Sequence, residues 1–151
     1  MWDDEMKVSL KGSFLMIKYF GEEMMTKKKG SIINIGSDLS VIAPNQKIYK
    51  SSYKNYIKPV TYSVIKHGML GLTKYFSALF AENNVRVNMV SPGPVKNNQS
   101  KELLNELKNI IPMGRLGNSN ELLGLLFFLA SQESSYITGQ NILVDGGRTI
   151  I

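Results

Sequence analysis

Three short apolar runs govern what this chain can fold into: residues 32–35, 85–90 and 141–144, each closed by a glycine-containing turn. The first holds Ile32, Ile33 and Ile35 and stops at Gly36; the second meets Ser91-Pro92-Gly93-Pro94; the third meets Asp145-Gly146-Gly147. Short β-branched runs of this kind are the pattern of strands buried on both faces. The segments around them have the other period. Met6, Leu10, Phe14, Ile17, Phe20 and Met24 recur at helical spacing over residues 3–26. The same periodicity resumes over 60–83, 100–109 and 119–131, the last with Asn118 or Ser119 available as N-cap. Lys27, Lys28 and Lys29 stand where a helix dipole favours cations, with Gly30 following as a C-cap candidate. Helices alternating with strands predict right-handed crossovers and a parallel sheet covered on both faces. The expected class is α/β, with about three strands in a single unit over 1–151.

Composition narrows the chemistry. The absence of cysteine excludes disulfide scaffolds, thiolate zinc sites and cysteine nucleophiles, and a single histidine, His67, leaves no basis for a histidine metal cluster. No metal site is expected. The net charge of +6 comes from scattered basic residues, which favours solubility over nucleic-acid binding. No apolar run approaches the roughly 20 residues of a membrane span, and the first residues carry acids rather than the bases of a secretory signal. A cytoplasmic location without membrane association is therefore the expectation.

Tyr62-Ser63-Val64-Ile65-Lys66 sets a phenol and an ammonium four positions apart, on one face of a helix. A neighbouring cation favours the ionised form of a tyrosine, which would let Tyr62 act as general acid/base toward a substrate hydroxyl or carbonyl. Such a pair also arises on solvated helix faces, and its context gives it weight. The first strand delivers Gly36-Ser37 at its C-terminal end, where open parallel sheets place their ligands. Pro92-Gly93-Pro94-Val95 follows the second strand, where backbone can lie flat against a planar ring.

These blocks, with Val85-Arg86-Val87-Asn88, Ile111-Pro112-Met113-Gly114-Arg115-Leu116-Gly117 and Val144-Asp145-Gly146-Gly147 in the same order, resemble the short-chain dehydrogenase/reductase family across essentially the whole chain. The resemblance implies a partial Rossmann-like doubly wound sheet, the C-terminal half of the family's domain. It implies NAD or NADP as cofactor and reversible hydride transfer with an alcohol or carbonyl substrate. By the same resemblance Ser37 hydrogen-bonds the reacting oxygen and Tyr62 exchanges the proton. Lys66 acts on the tyrosine and holds the nicotinamide ribose, and Pro92, Gly93 and Val95 border the nicotinamide. Ser37 is the expected serine, with Ser40 as the alternative.

The chain departs from the family in two ways. It contains no strand followed by Gly-x-x-x-Gly-x-Gly, so the pyrophosphate has no evident seat, and Ser9 stands where the family usually has a catalytic asparagine. The alternative function is accordingly a non-catalytic remnant or partner subunit, in a homo-oligomer or beside a complementing N-terminal half. The first strand is also expected to leave one edge exposed. The second departure is the wide separation of Ser37 and Tyr62, which is filled by an inserted loop over 43–59. That segment shows neither period. Tyr49, Tyr53 and Tyr56, with neighbouring lysines, form a candidate substrate lid for an anionic or sugar-like group, against the plainer reading of a solvated surface insertion.

Overall fold

The computed structural model describes residues 1–52 and 56–151. A short helix α1 (Trp2–Glu5) runs through a π-helical segment (Met6–Lys11) into α2 (Gly12–Thr26). Strand β1 (Gly30–Ile35), a 3-10 turn (Asp38–Ser40), helix α3 (Gln46–Ser52) and the long helix α4 (Val60–Phe80) follow. Then come β2 (Val85–Pro92), α5 (Lys101–Asn109), α6 (Leu123–Ala130) and β3 (Asn141–Val144). The three strands form one parallel sheet in the order β1-β2-β3, with Gly30 opposite Val85 and Met89 opposite Asn141. The predicted α/β class, with three parallel strands and flanking helices, matches this architecture.

Strand alternation assigns the two faces. Ile32, Val85 and Val87 pack with Ile17, Phe76 and Phe80 from α2 and α4, while Met89 packs with Ile65 and Met69 of α4. The intervening residues look the other way: Ser31 Oγ donates to the Leu129 carbonyl of α6 at 2.7 Å, and Arg86 donates to the carbonyls of Leu129 and Ser131. Val85, Val87, Met89 and Val90 are fully buried, each contributing about 1.5–3 kcal/mol of burial free energy. Buried Asn34 is satisfied across the layer by donating to Thr73 Oγ1 at 2.9 Å, and buried Asn88 holds Ile137 and Gln140 of the approach to β3.

The structure corrects four sequence expectations. Over 43–59, expected as an inserted loop, the described residues include the helix α3. Ser37 caps the 3-10 turn, and α3 buries Ile48 against Leu103, Leu107, Ile111 and Leu116, so the plainer reading of a solvated insertion gives way to a packed one. The first helix is not uniformly α-helical, because the π-helical segment interrupts it. Gly30 is not the C-cap: Lys28 takes the left-handed conformation, with φ at 50°, and Gly30 opens β1 in close contact with Met24. The helix expected from residue 119 begins as a 3-10 turn, where Asn118 and Glu121 form a capping box.

Candidate active site

The C-terminal ends of the three parallel strands lie side by side, and the candidate residues collect there. Ser37, two residues beyond the end of β1, is buried; its hydroxyl donates to the Asp38 carboxylate at 3.0 Å and accepts the Leu39 N–H at 3.2 Å. Asp38 in turn receives Arg148, from the segment after β3, at 2.5 Å in a pair whose side chains are both almost fully buried. Tyr62 occupies the first turn of α4 and is half-buried. One turn later Lys66 reaches back across the layer and donates to the Ile35 carbonyl at 3.1 Å, so the Tyr-x-x-x-Lys helix is tied to the strand that carries Ser37. The Lys66 ammonium lies 5.7 Å from the centre of the Tyr62 ring. Burial pushes the Lys66 ammonium below its usual value, with repulsion from Lys58 adding to the effect.

Pro92, Gly93 and Val95 form the next part of the rim. Gly93 donates its N–H to the Val144 carbonyl at 3.0 Å, and a Cβ there would meet the Asp145 backbone at 2.7 Å, so only glycine lets the two strand ends approach. Val95 pairs with Gly117, whose loop is held by a forked Arg115–Glu121 pair. That fork, with the Asn118 N–H, holds the Glu121 carboxyl down at about 2. Asp145 accepts the N–H groups of Gly147 and Thr149 and shapes the last turn.

Ser40, the alternative to Ser37, is otherwise engaged. It is fully buried and joins Ser91 and Asn141 in a hydrogen-bonded triangle that links the strand ends. Of the three lid tyrosines, Tyr49 and Tyr56 come together with ring centres 5.9 Å apart; Tyr53 lies outside the described residues. Burial pushes the Tyr49 phenol up from its ordinary value, with Arg148 opposing. Ser9 lies in the π-helical segment and shares a groove of about 770 Å³ with Lys66, Met69 and the outer residues of β1.

Three residues at the site did not stand out in the sequence. Lys58 places its ammonium 4.0 Å from the centre of the Tyr62 ring and 5.8 Å from that of Tyr49. Its spacing was a usable signal, since it precedes Tyr62 by the same four positions that separate Tyr62 from Lys66. Asp38 and Arg148 carried none, being 110 positions apart.

A family profile described as enoyl-(acyl carrier protein) reductase matches residues 1–149. The chain belongs to the short-chain dehydrogenase/reductase family. Among relatives in this family, an NAD-dependent glycerol dehydrogenase of Listeria innocua is 34% identical over 154 positions, covering 99% of this chain and 56% of that protein. A short-chain dehydrogenase structure from Leptospira borgpetersenii with bound NAD+ shares 36% identity at a TM-score of 0.89, covering 98% of this chain and 56% of that one. A gluconate 5-dehydrogenase structure from Burkholderia cenocepacia, in complex with NADP and tartrate, shares 29% identity at a TM-score of 0.87, covering 99% and 56%. The chain therefore spans a little over half the length of these short-chain dehydrogenase/reductase relatives. Among the described residues no helix is long and apolar enough to cross a membrane.

Proposed function

We propose that this chain carries the catalytic residues of a nicotinamide-dependent oxidoreductase, corresponds to the C-terminal half of the family's domain, and acts on a small alcohol or carbonyl substrate. The convergence of Ser37, Tyr62 and Lys66 on the C-terminal end of β1 carries this reading, with the Lys66 ammonium tied to Ile35 and facing the Tyr62 ring.

The residues present fit the nicotinamide-ribose part of the implied cofactor. Lys66 is a half-buried cation in no ion pair among the described residues, able to donate to ribose hydroxyls, and Pro92, Gly93 and Val95 lie at and just beyond the end of β2, the strand paired with β1. The pyrophosphate has no matching turn in this sequence, and we assign its binding to a complementing N-terminal half, with homo-oligomerisation as the other partnership. When bound, NAD or NADP would supply or accept the hydride. Tyr62 gives a proton to the substrate oxygen during reduction and takes it back during oxidation. The Lys58 and Lys66 ammonium groups lie 4.0 and 5.7 Å from the centre of its ring. Ser37 turns its hydroxyl from Asp38 to the same substrate oxygen and fixes it. Asp38 remains held by Arg148.

Titration of the purified chain with NADH and NADPH tests this function. We expect one of them to bind, weakly because this sequence has no pyrophosphate turn, and reduction of an added carbonyl substrate to fall about 100-fold or more in Tyr62→Phe while binding is kept. A chain that binds neither overturns independent catalysis and favours the alternative of a non-catalytic remnant or partner subunit.

A further inference from the structure

A second ammonium stands closer to Tyr62 than the first. Lys58 Nζ lies 4.0 Å from the centre of the Tyr62 ring, against 5.7 Å for Lys66. Lys58 is held there from both ends of its peptide unit: its N–H donates to Gln46 Oε1 at 2.9 Å and its carbonyl accepts from Gln46 Nε2 at 3.2 Å. Gln46 opens α3, and α3 is seated by buried Ile48 against α5 and its flanking residues. Pro59 follows directly and restricts Lys58 to extended backbone. A packed helix, rather than a loose loop, therefore aims this cation at the reacting tyrosine.

The charge around it does not balance. All twelve carboxylate side chains lie among the described residues, and none forms an ion pair with Lys58 or Lys66. Asp38 raises the proton affinity of Lys58 from a distance, but its carboxylate is already occupied by Arg148. Desolvation dominates at Lys58 and pushes its ammonium below the ordinary value. Two half-buried cations beside one phenol repel each other and have lost part of their hydration. An anion placed between Lys58 and the reacting oxygen would relieve both costs.

We propose that Lys58 determines specificity by receiving the carboxylate of a small hydroxy acid or oxo acid, whose hydroxyl or carbonyl oxygen meets Tyr62. Tyr49 and Tyr56 form an aromatic wall next to that carboxylate, which suits a short polyhydroxylated carbon chain. This substrate class rests on Tyr62 being the proton-exchanging residue.

The test compares D-gluconate with sorbitol, its neutral counterpart, by calorimetric titration of the full chain, with inorganic phosphate as a third probe. Gluconate is expected to bind about tenfold or more tightly than sorbitol. Lys58→Gln should abolish that advantage without changing sorbitol affinity, and Lys58→Arg should keep most of it. Equal affinities for the two polyols, no binding of gluconate, or an unchanged gluconate affinity in Lys58→Gln would each overturn the proposal. Phosphate binding more tightly than gluconate and equally dependent on Lys58 would overturn it in favour of a phosphate site. Its failure is distinct from failure of the oxidoreductase reading. Lys58-dependent gluconate binding by a chain that binds neither NADH nor NADPH sinks the latter, whereas NAD+- or NADP+-dependent oxidation of gluconate with a KM unaffected by Lys58→Gln sinks the former.

Discussion

Asp38 follows Ser37 in sequence and shares its two carboxylate oxygens between the Ser37 hydroxyl and the Arg148 guanidinium, all three groups buried. Removing one partner of such a pair leaves a charge without compensation in a low-dielectric setting, which costs about 3–5 kcal/mol, whereas removing both charges together costs far less. Arg148→Met is therefore expected to lower stability in urea unfolding by that amount, and Asp38→Asn added to it should recover most of the loss. A single-variant loss below about 1 kcal/mol would mean that water reaches the pair. The same residues show what a sequence makes legible at a site. Tyr62 and Lys66 could be read because helix geometry sets both on one face, and Ser37 because a strand end marks it. Lys58 obeys the same spacing, but lies before the helix begins, where periodicity says nothing about direction. Arg148 reaches Asp38 only through the closure of the whole sheet, so no local pattern announces it. Tyr53, one of the three lid tyrosines, stays outside the described residues.

Between elements, the contact that sets the angle of α2 on α4 is a glycine against an aromatic ring. A Cβ at Gly21 would come within 2.2 Å of the Phe80 ring, and Phe80 is itself locked by Phe76 with ring centres 5.2 Å apart. Gly71, in the middle of α4, is exposed and has nothing within 4 Å of where its Cβ would be. Gly21→Ala should therefore destabilise by about 1–3 kcal/mol through overpacking. Gly71→Ala should stabilise by about 1 kcal/mol through helix propensity alone. Opposite shifts of the denaturation midpoint are the expected result, and a shift of the same sign in both would show that the α2–α4 contact yields. Element order was legible because long helices and buried strands have different periods. Helix α3 escaped notice because seven residues with Ile48 as their buried apolar anchor cannot display a period. The π-helical segment escaped because one widened turn leaves the apolar spacing on either side intact.

At the scale of the molecule, burial is uneven across the sheet. Seven of the eight β2 residues are buried, whereas β1 is mostly half-buried and ends in Ile35 at 49% exposure. Strands this apolar on both faces are ordinarily flanked on both edges, yet among the described residues β1 pairs with β2 alone. Its free edge opens on the groove of about 770 Å³ that carries Met16, Phe20, Met24 and Ile33. Unpaired backbone donors and acceptors beside an apolar groove form a template for another strand, and nature blunts such edges with charge, particularly lysine. Here the solvent-facing position at the strand end is isoleucine. We therefore expect the purified chain to self-associate as its concentration is raised, seen as a rising weight-average mass in sedimentation. Ile35→Lys should suppress that association without lowering the unfolding midpoint, because the side chain already faces water. A wild-type chain that stays monomeric over the same range and melts in one sharp transition would show that the β1 edge is protected without a partner.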